Sequence, residues 1–270
     1  MLPSDPSRPN PAQGEVVDPA AQFSYPFSYF PAIPPPLPLS LTTLPEHACS
    51  YLPGKTARSR GVWASRVPAE LYRRFMDAGF RRSGKLIYQP ICARCRECQS
   101  IRVPVNTFAP DKSQRRAWRK NPDITVTIAP PMASDETYAL YMRYVRQWHS
   151  RESAEDSPEA FGRFLYDSPT ESLEFRYRNP LGQLLAVGIC DISSDALSSV
   201  YFFFDPAESQ RSLGTFGALY ELQYTKANLL KYYYLGYWIK SCGSMSYKAR
   251  FRPCELLGAD GNWVPVPPDE

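Results

Sequence analysis

Three short apolar runs in close succession limit the second half of this chain to a sheet. Residues 173–178, 184–191 and 197–204 each have the length and β-branched or aromatic content of a strand. Asn179-Pro180-Leu181-Gly182 and Ser193-Ser194-Asp195 supply turn residues between them. A helical stretch over 215–230 follows, then another strand over 232–238. Meander, helix, strand is an α+β order, and α+β is the fold class expected.

The first half is more broken. A helix is expected over 68–78, with Pro68 in its first turn, Leu71 and Phe75 on one face, and Gly79 ending it. Short strands over 85–89 and 101–105 flank a cysteine cluster, and 124–128 alternates as a strand does. A helix over 134–149 can be capped by Ser134, with Asp135 and Glu136 at its positive end. A further helix is expected over 157–166, with Pro158 in its first turn. Residues 1–45 are rich in proline and are expected to be extended. The organisation expected is therefore a Pro-rich segment (1–45), an N-terminal α+β domain with the cysteines (46–130) and a C-terminal sheet domain (131–270). No internal repeat is visible.

Composition narrows the function. A hydrophobic fraction of 43% can fill a core. No apolar run reaches membrane-spanning length, and no basic segment with an apolar stretch opens the chain, so a cytoplasmic protein without membrane contact is expected. A net charge of +4 does not by itself demand a nucleic-acid partner.

Chemistry concentrates in three places. Cys92-Ala93-Arg94-Cys95-Arg96-Glu97-Cys98 contains two overlapping C-x2-C units, and Cys49 is a candidate fourth ligand. Four thiolates suit a structural zinc or an iron–sulfur cluster; unmetallated thiols in a tight turn are the competing reading. Cys190, Cys242 and Cys254 sit in apolar surroundings and are expected as core thiols. With only two histidines in the chain, a Cys–His mechanism has little support. A basic run, Ser113 to Lys120, places Arg115 and Arg116 beside Trp118; it suits phosphate contacts and base stacking, against an ordinary solvated face. A loop, Gln210 to Gly217, precedes a helix and offers Arg211, Ser212 and Gly214 to a phosphate or to the 3′ end of a tRNA; a simple helix start is the alternative.

Several segments together resemble one family. They include Cys49-Ser50-Tyr51-Leu52-Pro53-Gly54, Gly79-Phe80-Arg81-Arg82-Ser83-Gly84, Tyr88-Gln89-Pro90-Ile91-Cys92, Ile101-Arg102-Val103-Pro104-Val105, Ser212-Leu213-Gly214-Thr215, Tyr234-Leu235-Gly236-Tyr237-Trp238 and Met245-Ser246-Tyr247-Lys248. In order and in kind they are similar to the bacterial aspartate/glutamate leucyltransferases, relatives of the arginyl-tRNA–protein transferases. Ser150 to Asp156 departs from that pattern, where such proteins carry a glycine-rich stretch. The resemblance implies a C-terminal N-acetyltransferase-like (GNAT-type) domain, leucyl-tRNA as donor and proteins beginning with Asp or Glu as acceptors. The product it implies is an N-degron for proteolysis. Arginyl-tRNA as donor, or acyl-CoA N-acetyl transfer, are the alternatives.

Transfer from an ester already activated needs positioning, an oxyanion site and one proton acceptor, and no cofactor for the chemistry. Tyr201 and Tyr237 are the candidates for the oxyanion site and Asp205 for the proton. Arg81, Arg82 and Arg102, with Tyr51, are the candidates to hold the acceptor, a forked guanidinium matching its carboxylate.

Overall fold

The computed structural model describes residues 40–149 and 157–267, so most of the Pro-rich segment and the departing stretch Ser150 to Asp156 lie outside the described residues. The first part comprises β1 (Thr42–Thr43), β2 (His47–Ala48), β3 (Thr56–Ala57), β4 (Ser59–Trp63), α1 (Ala69–Asp77), β5 (Arg81–Ser83), β6 (Leu86–Pro90) and β7 (Gln99–Pro104). Next come α2 (Lys112–Arg119), β8 (Thr125–Ala129), α3 (Asp135–His149), α4 (Pro158–Phe161), β9 (Ser172–Arg178), β10 (Leu184–Ile192) and β11 (Ala196–Phe204). A 3-10 turn Pro206–Arg211, α5 (Leu213–Ala227), β12 (Tyr232–Trp238), α6 (Gly243–Ser246), a 3-10 turn Tyr247–Arg250, β13 (Glu255–Leu257) and β14 (Trp263–Pro265) complete it.

The body is a mixed eight-stranded sheet in the order β14-β13-β7-β12-β11-β10-β9-β8. Every pairing is antiparallel except β11 with β12, which α5 joins by a crossover. Strands β7 and β8, from the segment expected as the N-terminal domain, belong to this sheet. A four-stranded sheet, β1-β4-β6-β5, and the β2-β3 ribbon form the remainder of the first part.

Alternate residues of β10 enter different cores, as the period of a strand requires. Ala186 and Cys190 join Phe175, Tyr177, Phe216, Leu222 and Tyr233 beneath α5. Val187 and Ile189 join Leu140, Val145, Phe161 and Phe203 beneath α3 and α4. A third core gathers Tyr72, Phe75 and Met76 of α1 with Ile87, Ala196 and Tyr234, so α1 packs where the small sheet meets the large one.

Two features differ from expectation. The basic run is the short helix α2, closed by a reciprocal capping box between Asp111 and Gln114. It buries only Gln114 and Ala117 fully, with Trp118 packed beside them, and one short turn of this kind does not show as a period. Cys190 and Cys254 are buried as expected, whereas Cys242 is half-buried, its sulfur 3.2 Å from Ser244 Oγ.

Candidate active site

The two parallel strands pair only between Ala196–Ser198 and Tyr232–Tyr234. Beyond that point β11 continues along β10 and β12 continues along β7, so the sheet opens between them. A cationic side chain enters the opening from the small sheet. Arg81, on β5, donates to Ser198 Oγ at 2.8 Å and to the Ser199 carbonyl. It reaches there because Gly236 has no side chain; a Cβ at that position would lie 3.1–3.3 Å from three atoms of the guanidinium. Gly236 also has φ +88°, which favours glycine.

Arg82 points the other way, as the next residue of a strand must. Its side chain is fully buried and donates to both oxygens of Asp191, at 2.7 and 2.9 Å. Tyr72 and Ser172 also donate to Asp191, each at 2.6 Å. Arg102 is likewise committed: it pairs with Asp77 and Glu255 and lies 4.0 Å over Tyr232 and 4.2 Å over Trp263. The acceptor-binding role expected of Arg82 and Arg102 does not fit these placements, because their charges are already neutralised by carboxylates. Among the three arginines, only Arg81 bonds neutral oxygens alone.

Beside Arg81 lies a cavity of about 500 Å³ lined by Tyr51, Tyr88 and Tyr237 and by Cys49, Cys92, Cys95 and Cys98. Burial pushes the hydroxyls of Tyr51, Tyr88 and Tyr237 up, with Arg81 pulling the other way in each. Tyr237 donates to the Gly79 carbonyl at 3.1 Å and meets Tyr88 edge-on. The four expected metal ligands thus share one wall. Three N–H groups are directed at their sulfurs: Leu52 to Cys49 at 3.4 Å, Arg58 to Cys92 at 3.5 Å and Lys55 to Cys95 at 3.8 Å. Burial and the Cys49, Cys92 and Cys95 thiols push the Cys98 thiol up to about 12. Such mutual repulsion is what a bound cation relieves, so the donor set fits a soft metal chemically. Among the described residues no three His, Cys, Asp or Glu side chains are gathered as a finished coordination sphere.

The other expected residues lie apart from this cavity. Tyr201 is on the opened half of β11, within an aromatic cluster of Tyr141, Tyr144 and Phe164. Asp205 follows the end of β11, roughly 20 Å along the chain from Ser199 at strand spacing. It caps the next turn through Ala207 N–H at 3.0 Å and pairs with Arg143 at 3.1 Å. A proton acceptor at the opening does not fit that position.

The expected RNA-binding residues lie on α2 and on the turn that leads into α5. Arg115 and Arg116 are exposed on α2. Trp118 is 37% exposed and packs one side on Phe216 and Tyr220, with centroids at 5.2 and 6.3 Å. An open groove between the end of α2 and the 3-10 turn is lined by Arg119, Lys120 and Arg211. Arg211 is neutralised by Asp123 and Glu208. Ser212 has φ +57° and gives α5 no side-chain cap. A Cβ on Gly214 would meet only Phe204 at ordinary contact distance, so close packing does not require glycine there.

Three residues near the opening had no assigned role. Tyr88 and Lys248 lie inside motifs noted above, and Glu221 is a single acid within an otherwise apolar turn of α5. Lys248 Nζ donates to the Tyr237 carbonyl at 2.9 Å. Desolvation, then the neighbouring Arg81, pulls its pKa down to about 7. Glu221 accepts from Tyr233 on the α5 side, and burial raises its pKa to about 7.

Fold and site together define a mixed α/β protein whose large sheet opens around Arg81, beside a tyrosine- and thiol-lined cavity. The family model "Arginine-tRNA-protein transferase, N terminus" matches residues 47–116, and its C-terminal counterpart matches residues 136–258. An aspartate/glutamate leucyltransferase of Hahella chejuensis is 37% identical over 224 residues, covering 82% of this chain and 95% of the relative. Counterparts in Nitrosococcus oceani (81% of this chain, 92% of the relative) and Acinetobacter baumannii (81% of each) are both 41% identical. This chain belongs to the arginine-tRNA-protein transferase family, among relatives named aspartate/glutamate leucyltransferase. Solved structures overlap more loosely: FemX aligns at TM-score 0.47 and 8% identity, covering 68% of this chain and 65% of that one, too loose to assign a fold.

Proposed function

We propose that this protein transfers leucine from leucyl-tRNA to the N-terminal amine of proteins that begin with Asp or Glu, creating an N-degron. The observation that carries the acceptor half is Arg81, a cation held at the opening of the sheet by neutral oxygens alone. The names of the relatives support the donor half. We further infer that the crossover β11-α5-β12 and the opening beside it belong to an N-acetyltransferase-like (GNAT-type) domain over residues 131–270, joined by β7 and β8 in its sheet.

The acceptor amine has an ordinary pKa of about 7.7–8.0, so a useful fraction is neutral at neutral pH. Its nitrogen attacks the ester carbonyl, the carbon–oxygen bond to the ribose breaks, and the ribose oxygen leaves with a proton. Arg81 fixes the acceptor by its side-chain carboxylate, converting the encounter into an oriented one. Tyr201, on the opened strand, is the donor proposed for the tetrahedral oxyanion, while Tyr237, whose one hydroxyl proton goes to the Gly79 carbonyl, shapes the cavity wall. With Asp205 tied into its cap and ion pair, the ammonium proton passes to water. Cys49, Cys92, Cys95 and Cys98 would hold a structural zinc or iron–sulfur cluster, which would supply folding energy to the wall of the cavity. The exposed face of α2 carries the tRNA.

The donor is tested with one Asp-initiated peptide and three donors: leucyl-tRNA, arginyl-tRNA and acetyl-CoA. Mass spectrometry should find the leucyl product alone. An acetylated peptide, or an arginyl product in equal yield, would overturn the donor assignment.

A further inference from the structure

Two cations stand against consecutive residues of β12. The Arg81 guanidinium lies over Gly236, and the Lys248 ammonium donates to the carbonyl of Tyr237 at 2.9 Å. Neither forms an ion pair among the described residues: the hydrogen bonds of both go to neutral oxygens, on Ser198, Ser199 and Tyr237. Arg73, Arg82, Arg102 and Arg211, by contrast, each hold one or two carboxylates. Two such groups, adjacent and desolvated, both hold their full charge at neutral pH only when an anion joins them.

We propose that Lys248 is a specificity-determining residue that forms, with Arg81, a two-cation seat for the side-chain carboxylate of an N-terminal Asp or Glu, an assignment that rests on the acceptor chemistry proposed above. The ammonium keeps two donors beyond the one spent on Tyr237, and a carboxylate offers about four lone-pair sites to them and to the guanidinium. An amide in the same seat turns an NH₂ group towards two cations and leaves charge unpaired. Arg81 is fixed by two bonds to β11, while the lysine stem is flexible and follows a carboxylate one methylene nearer or farther. That accounts for acceptance of both Asp and Glu. The thiols of Cys98 and Cys242 also face Lys248, so the competing role is a counter-ion to the cysteine wall.

The test uses the full chain at saturating leucyl-tRNA, with peptides beginning Asp, Glu or Asn. Lys248→Met should raise KM for the Asp and Glu peptides about 10-fold or more, the scale of a lost hydrogen bond to a charge, with kcat nearly unchanged. The Asp-to-Asn preference should shrink by the same factor, and Lys248→Arg should recover part of it. Bound metal and thermal midpoint are measured on the same samples. Unchanged KM for the Asp peptide would overturn the proposal. So would loss of metal with KM rising equally for Asp and Asn peptides, which is the counter-ion outcome. If Lys248→Met does not fold, the wild-type protein decides: acetic anhydride labelling of Lys248, read by mass spectrometry, should be slowed by an Asp peptide and not by an Asn peptide. Equal labelling would reject the seat. A wild-type enzyme that failed to distinguish Asp from Asn would instead defeat the underlying function, before any variant is made.

Discussion

Arg81 and Arg82 are neighbours in sequence, equal in charge, and opposite in use. Strand alternation sends Arg82 into a closed knot with Asp191, Tyr72 and Ser172, and sends Arg81 into the opening of the sheet. Breaking the knot leaves a buried charge without its partner. Asp191→Asn should therefore cost about 3–5 kcal/mol in urea unfolding while KM of the folded fraction stays close to wild type. A second residue-scale prediction concerns Glu221. Its folded pKa, about 7, lies above its ordinary 4.5, so between those values the folded protein holds a proton that the unfolded chain has lost. Stability should fall as pH rises through that window. Glu221→Gln should flatten the fall, as read by unfolding at about pH 5 and about pH 8. The residue types at the site were legible in the sequence; which of three arginines stays free of carboxylates was not, since that depends on Asp191, Asp77 and Glu255, each distant along the chain from at least one arginine it neutralises.

Elements with an apolar period were legible to within a few residues: α1, α3 and the meander β9 to β11 fall where alternation and capping place them. Helix α2 was legible only as charge, because its packed face is short, with Gln114 and Ala117 buried and Trp118 beside them. Its outward face presents Arg115 and Arg116 together. Replacing both by Ala should weaken tRNA binding and reduce the slope of log K against log salt by about 1.5, two phosphate contacts' worth. Activity should recover at high tRNA concentration; an unchanged slope would make α2 a solvated face. The cysteine wall is also an element-scale device, built from the loops around β3 and β6. Cys92→Ser should lose bound zinc or iron and lower the melting temperature, since metal-binding energy is partly folding energy. Elemental analysis showing no metal in active wild-type protein would refute that.

At the scale of the molecule, the sheet joins what the sequence separates. Strand β7 sits between β12 and β13, so Arg102, close in sequence to the cysteines, pairs with a glutamate near the other end of the chain. Nothing in the local pattern of residues 99–104 reveals this partner, because an apolar strand does not encode which edge it joins. The same arrangement brings β5 to the β11–β12 opening and sets Arg81 there against neutral oxygens alone, the cation proposed to hold the acceptor's carboxylate. That role is tested most directly by kcat/KM for leucine transfer to two peptides that differ only in their first residue, Asp or Asn. Their side chains match in shape and differ in charge. A preference for Asp of about 100-fold or more is expected, since the amide leaves a desolvated cation unpaired. Equal values for the two peptides would contradict it.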